Sequence, residues 1–173
     1  MLPLGHIAGG YLAGKLASIA FPELNQPLYL GLSALFGFIP DLDSFFAFLK
    51  GKKFTIDESI DHHQFITHTP IFYLFIFGFW YFIFPETRLV AWAFILGTLS
   101  HLVIDTFASD GTQWLYPFSK KLFRFSSDPQ IPHPDKKFTE FWIDFIKRYI
   151  KLNSFRLEIT FIIISILTLI FSR

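Results

Sequence analysis

Five stretches of the chain, roughly residues 4–21, 27–49, 70–84, 88–107 and 155–172, are rich in apolar residues and bounded by charge or proline. Apolar runs with this punctuation predict helices. The third contains "IFYLFIFGFWYFIF", which has no polar stripe on any helical face, whereas a helix of a soluble bundle shows one. Each stretch is short or interrupted for a lipid crossing. A span takes about 20 apolar residues; 70–84 supplies fifteen, and 27–49 carries Asp41 and Asp43. The pattern predicts an all-α polytopic membrane bundle of about five helices, one domain over residues 1–173, with some helices crossing thinly or lying against protein. An all-α soluble bundle is the alternative. A further segment, "TEFWIDFIKRYIKL" at 139–152, sets Phe141, Trp142, Phe145, Ile146, Tyr149 and Ile150 at helical spacing opposite Lys147, Arg148 and Lys151. That is an interfacial helix or a packed one. The segment before it, "DPQIPHPDKKF" at 128–138, is a proline-punctuated loop.

Composition strengthens the membrane reading: 52% of residues are hydrophobic, 20% aromatic and only 17% charged, with a mean hydropathy of +0.44. A membrane-lipid environment is therefore expected. Residues 1–21 lack a basic leader and carry Lys15 inside the apolar stretch, so they do not read as a removed signal peptide. The net charge of +1 carries no nucleic-acid signature, and no direct nucleic-acid partner is expected. With no cysteine, disulfides are excluded, and a metal would be held by imidazole and carboxylate, which suits zinc or a harder divalent ion.

Charge also orients the bundle. If five helices alternate, the N-terminus and the loops at 50–69 and 108–154 share one side. With Arg156 at the start of the last stretch, twelve of the 15 Lys and Arg fall on that side, against Arg88 and Arg173 on the other and Lys15 within a helix. The positive-inside rule places the crowded side in the cytoplasm.

The candidate chemistry lies on that same side. His6 opens the first helix, Asp41 and Asp43 sit late in the second, His63 and His68 precede the third, and His101 and Asp105 end the fourth. Ionisable groups gathered at membrane depth mark a functional site. In "LSHLVIDTF", His101 and Asp105 are four apart, so both project from one helix face and can ligate one ion; an aspartate orienting a core histidine is the plainer alternative. In "FGFIPDLD", Pro40 bends the chain and lets Asp41 and Asp43 leave regular geometry; a helix start with acids in its first turn accounts for the same residues. Thr69 and Pro70 read as N-cap and first helical residue, which leaves His63 and His68 on a loop, free to converge. His62 and His133 read as bystanders. Gly9, Gly10 and Gly14 would let a second helix approach the first closely.

Together, "GHIAGG", "FGFIPDLD", "HQFITHT" and "GTLSHLVIDTFASDGTQWLYPF" resemble the family of small membrane-bound metal-dependent hydrolases described as YdjM-like, LexA-binding inner-membrane proteins. Through it the chain is distantly similar to the helical zinc-dependent phospholipase C and P1-type nuclease group. The resemblance implies His6, Asp41, Asp43, His63, His68, His101 and Asp105 as site positions. Gln64, Thr69 and Ala108 stand where the family commonly has Arg, Ser and Thr, and the missing Arg removes a group able to bind an anion. The expected activity is hydrolysis of an ester, a phosphoester in a lipid or lipid-like substrate, using one or more divalent ions, zinc first. His63, His101 and Asp105 are the leading ligands, His6, Asp41 and His68 the next, and Asp43 a bridging ligand or general base. Two alternatives stand beside it: a non-enzymatic, metal-stabilised membrane protein acting through a regulatory protein partner, and an ion transporter.

Overall fold

The computed structural model of the chain describes residues 2–43, 66–108, 111–129 and 138–171. Among them are six α-helices: α1 Pro3–Ala17, α2 Pro27–Phe36, α3 Pro70–Ile83, α4 Arg88–Thr106, α5 Phe138–Tyr149 and α6 Asn153–Phe171. The described residues contain no strand beyond an isolated bridge between Thr112 and Phe123. The all-α expectation therefore holds, with one helix more than the five apolar stretches; the sixth is the amphipathic segment, now α5.

Proline opens α1, α2 and α3, at Pro3, Pro27 and Pro70, where its missing N–H costs nothing. The second apolar stretch departs from expectation, since α2 stops at Phe36 instead of continuing to 49. Gly37 loosens the chain there and Pro40 cannot donate to the preceding turn, so Ile39–Asp41 winds as a 3₁₀ turn. Residues 44–49 lie outside the described residues. Thr69 does precede α3, but its hydroxyl donates back to the Ile66 carbonyl (2.6 Å) instead of capping the helix.

Two segments are long and apolar enough to cross a membrane: Pro85–Thr106, with a mean hydropathy of 1.6, and α6, at 2.0. The first is 61% buried within the protein and the second 17%, so α4 is the central post and α6 stands at the rim. At fourteen residues, α3 reaches about 21 Å, shorter than a hydrocarbon core of about 30 Å.

Small residues let α1, α2 and α4 meet almost backbone to backbone. A Cβ on Gly10 would stand 2.3 Å from the Ser33 carbonyl oxygen, and one on Gly97 2.4 Å from that same oxygen. Ser33 Oγ donates to the Gly10 carbonyl at 2.7 Å, closing the crossing with a hydrogen bond. Gly9 faces Ile104, whose Cδ1 would lie 2.1 Å from an added Cβ. The expected close approach at the α1 glycines is thus present, and its partners are α2 and α4. An aromatic and aliphatic core of Tyr73, Phe94, Ile95 and Leu102 joins α3 to α4.

The other side of α1 is tied to α6. Ser165 Oγ donates to the Ala8 carbonyl (3.1 Å), and Glu158, buried, accepts from the amides of Gly5 (3.2 Å) and Leu2 (3.4 Å) and from the Tyr149 hydroxyl of α5. A helix N-terminus leaves such amides without partners and carries positive charge, so a carboxylate there satisfies both. Asp128 does the same for α6, accepting from Asn153 N (3.0 Å) and Ser154 N (2.7 Å).

Candidate metal centre

The close crossing of α1, α2 and α4 fixes where the ionisable residues meet. His6 lies in the first turns of α1, Asp41 on the 3₁₀ turn after α2, His68 at the end of the Ile66–His68 turn before α3, and His101 and Asp105 one turn apart near the end of α4. These five side chains converge from four segments. His6 Nε2 lies 3.4 Å from Asp105 Oδ1 and 3.8 Å from Asp41 Oδ2. His101 Nε2 lies 2.9 Å from Asp105 Oδ2 and 3.6 Å from Asp41 Oδ1, and His68 Nε2 lies 3.9 Å from that oxygen. The His6 and His101 rings stack with centroids 3.8 Å apart, and His68 meets His101 edge-on at 5.3 Å.

The donor set fits a cation. Two overlapping triads, His6–Asp41–His101 and His68–His101–Asp105, each present ligand atoms within 4.8 Å of one another. Both nitrogens of His6 are buried and have no hydrogen-bond partner among the described residues, and the buried Nε2 of His101 has the Asp105 carboxylate beside it. Buried polar atoms left so are costly, and stacked imidazoles beside carboxylates are what an ion between them would reconcile. The backbone sets the histidine tautomer: His101 Nδ1 is 2.8 Å from the Gly37 carbonyl oxygen, which can only accept. The proton therefore sits on Nδ1, and the Nε2 lone pair points into the cluster. Imidazole and carboxylate donors of this kind suit a divalent ion.

Asp43 stands differently. Its Oδ2 is 3.1 Å from His68 Nδ1 and accepts from the Thr67 hydroxyl, so it touches the ring edge facing away from Asp41. That is the geometry of a carboxylate orienting a ligand histidine. His63 lies outside the described residues, as do His62, Gln64 and His133. Ala108 is buried, and its amide donates to the Asp105 carbonyl (3.0 Å).

Three supporting groups were missed from sequence. The Gly37 carbonyl and the Thr67 hydroxyl carry no sequence signal. Glu158 does, as the one carboxylate within "NSFRLEITFIIISILTLIF", and an acid in so apolar a helix needs a buried partner.

Electrostatics around the 3₁₀ turns gives a pH dependence. Burial disfavours charge on His68, but the carboxylates of Asp41 and Asp43 outweigh it and push its pKa up from 6.5 to about 9. Burial likewise opposes ionisation of Asp41, yet His68, His101 and His6 hold its carboxyl well below the usual range. The metal-free protein thus keeps a proton on His68, and this contact stabilises the fold fully below pH 6.5 and loses that contribution as pH rises through about 9. A metal ligated by His68 must displace the proton. Metal affinity is expected to rise about tenfold per pH unit from pH 6 to 9 and then level off. Titration with a metal buffer at several pH values reads this directly; an affinity flat across the window would remove His68 from the ligand set.

The family model for the YdjM inner membrane protein matches residues 1–173. No curated protein and no solved structure matches the chain. With its helices, its two candidate spans and a match over its whole length, the chain belongs to the family of YdjM inner membrane proteins.

Proposed function

We propose that the chain is a membrane-bound, metal-dependent hydrolase of an ester, with a phosphoester in a lipid or lipid-like molecule as substrate class and zinc as the ion. The observation that supports it best is the meeting of His6, Asp41, His68, His101 and Asp105 around buried nitrogens that lack hydrogen-bond partners. When bound, a divalent ion lowers the pKa of water and polarises an ester oxygen. The rest belongs to the chain. The Gly37 carbonyl and Asp43 hold the protons on the outer nitrogens of His101 and His68, so both rings turn Nε2 inward. The side chains of Asp41 and Asp43 are 17% and 12% exposed, while those of His6, His68 and His101 have no exposure. Water and substrate therefore enter on the aspartate side, where Asp41 borders the cluster and Asp43 holds the His68 ring in place. The distant similarity to the phospholipase C and P1-type nuclease group belongs to the same reading.

One observation favours a second reading, a metal-stabilised protein acting through a regulatory partner: three imidazoles without exposure resemble a closed structural site. The two readings separate in detergent-purified protein. Metal content together with hydrolysis of anionic phospholipids or chromogenic phosphoesters supports the enzyme, and metal content without turnover of any ester supports the structural site.

The cytoplasmic placement of the N-terminus and site rests on the sorting of Lys and Arg. In the cysteine-free chain, Lys151→Cys in intact cells should resist an impermeant thiol reagent and Glu86→Cys should react. The reverse pattern would invert the orientation.

A further inference from the structure

The segment after α4 is anchored at its base and exposed at its tip. Thr112 Oγ1 donates to the Leu102 carbonyl (3.0 Å), Trp114 Nε1 to Thr106 Oγ1 (2.8 Å), and the Phe125 amide to the Thr106 carbonyl (2.8 Å). Thr112 and Phe123 exchange backbone hydrogen bonds of 3.1 and 2.9 Å, closing the loop. Beyond these contacts the side chains face outward: Phe118 is 91% exposed, and Phe125 and Leu115 are exposed as well. Lys120, Lys121 and Arg124 are exposed among them, and Gly111–Ser127 contains three cations and no carboxylate.

We propose that residues 114–125 seat on the anionic headgroup layer of the protein's own membrane, with Leu115, Phe118 and Phe125 entering the interface and Lys120 and Lys121 meeting lipid phosphates. Two features select lipid over a protein partner. The outward face of α4 ends in Val103 and Phe107, both exposed, and the Phe107 ring lies 5.7 Å from that of Phe125, so the apolar surface of the span runs onto the loop. The loop also begins where that span ends, at Thr106, which sets its cations at headgroup height. Orientation by positive charge accounts for the cations alone; it gives no reason for the phenylalanines on either side of them, Phe118 and Phe125, to face outward. The inference does not depend on hydrolysis at the metal centre.

The test uses the full chain with Ser119→Cys as its single thiol, labelled with an environment-sensitive fluorophore, in nanodiscs of phosphatidylcholine with or without phosphatidylglycerol. Blue-shifted emission and protection from iodide are expected only with the anionic lipid, fading as salt rises. Replacing Lys120 or Lys121 by Gln should lower the ratio of seated to free loop about fivefold each. Equal emission and quenching in both lipids would overturn the proposal, as would protection that appears only on adding an acidic protein. The comparison of lipids needs no charge variant, so a variant that folds poorly leaves the answer intact.

Discussion

His101→Ala and Asp105→Ala are each expected to remove bound metal and ester hydrolysis together, whereas His62→Ala and His133→Ala leave both close to wild type. The two residues sit one turn apart on α4, with His101 Nε2 2.9 Å from Asp105 Oδ2, and each belongs to a candidate triad. His101 is common to both triads, so its loss opens both at once. Removing an outer-shell partner of a metal ligand typically costs 10–100-fold in affinity, and loss of a direct ligand should exceed about 100-fold. His62 and His133 carry the same side chain and serve as controls for the substitution itself. Metal stoichiometry on purified protein, read beside turnover of a phosphoester panel, decides the matter. A His101 variant with full metal content would end the assignment. A variant that loses metal, from a wild type that turns over no ester, would favour the structural reading.

How far the site could be read from sequence depends on which forces placed each residue. His101 and Asp105 were legible because a helix fixes the relation of residues four apart, and the apolar run around them made a helix certain. His6, Asp41 and His68 were legible as candidates, since each lies at the same end of a predicted helix as that pair. Their mutual distances were not, because these come from a three-helix crossing set by Gly10, Ser33 and Gly97. The end of α2 was misjudged for a related reason: hydropathy stays high through Phe45 and Phe46, while Gly37 and Pro40 decide the backbone locally. The difference between Asp41 and Asp43 was invisible. Two residues apart, they face different nitrogens of His68, Asp41 closing the 3₁₀ turn and Asp43 lying just beyond it.

Because that crossing positions the ligands, the second large effect is expected from a residue that touches none of the candidate donor atoms. Gly97→Ala would set a methyl group 2.4 Å from the Ser33 carbonyl oxygen, 2.7 Å from Phe36 Cβ and 2.8 Å from the Gly37 amide nitrogen. Backbone atoms cannot swing aside as a flexible side chain can, so α2 and α4 must separate. Overpacking of this kind costs about 1–3 kcal/mol and occasionally more. Separation also draws the Gly37 carbonyl from His101 Nδ1, so the tautomer that aims Nε2 at the cluster loses its anchor. Gly97→Ala should therefore lower both the unfolding midpoint in detergent and the metal content, and Gly10→Ala should do the same through the Ser33 oxygen on the α1 side. Gly31 and Gly78 provide the contrast. They lie within α2 and α3, and an added Cβ at either meets nothing within 4 Å. There alanine only restricts the unfolded chain and improves helix propensity, so stability should hold or rise by up to about 1 kcal/mol with metal content unchanged. Wild-type stability and metal content in Gly97→Ala would mean that the crossing does not set the site.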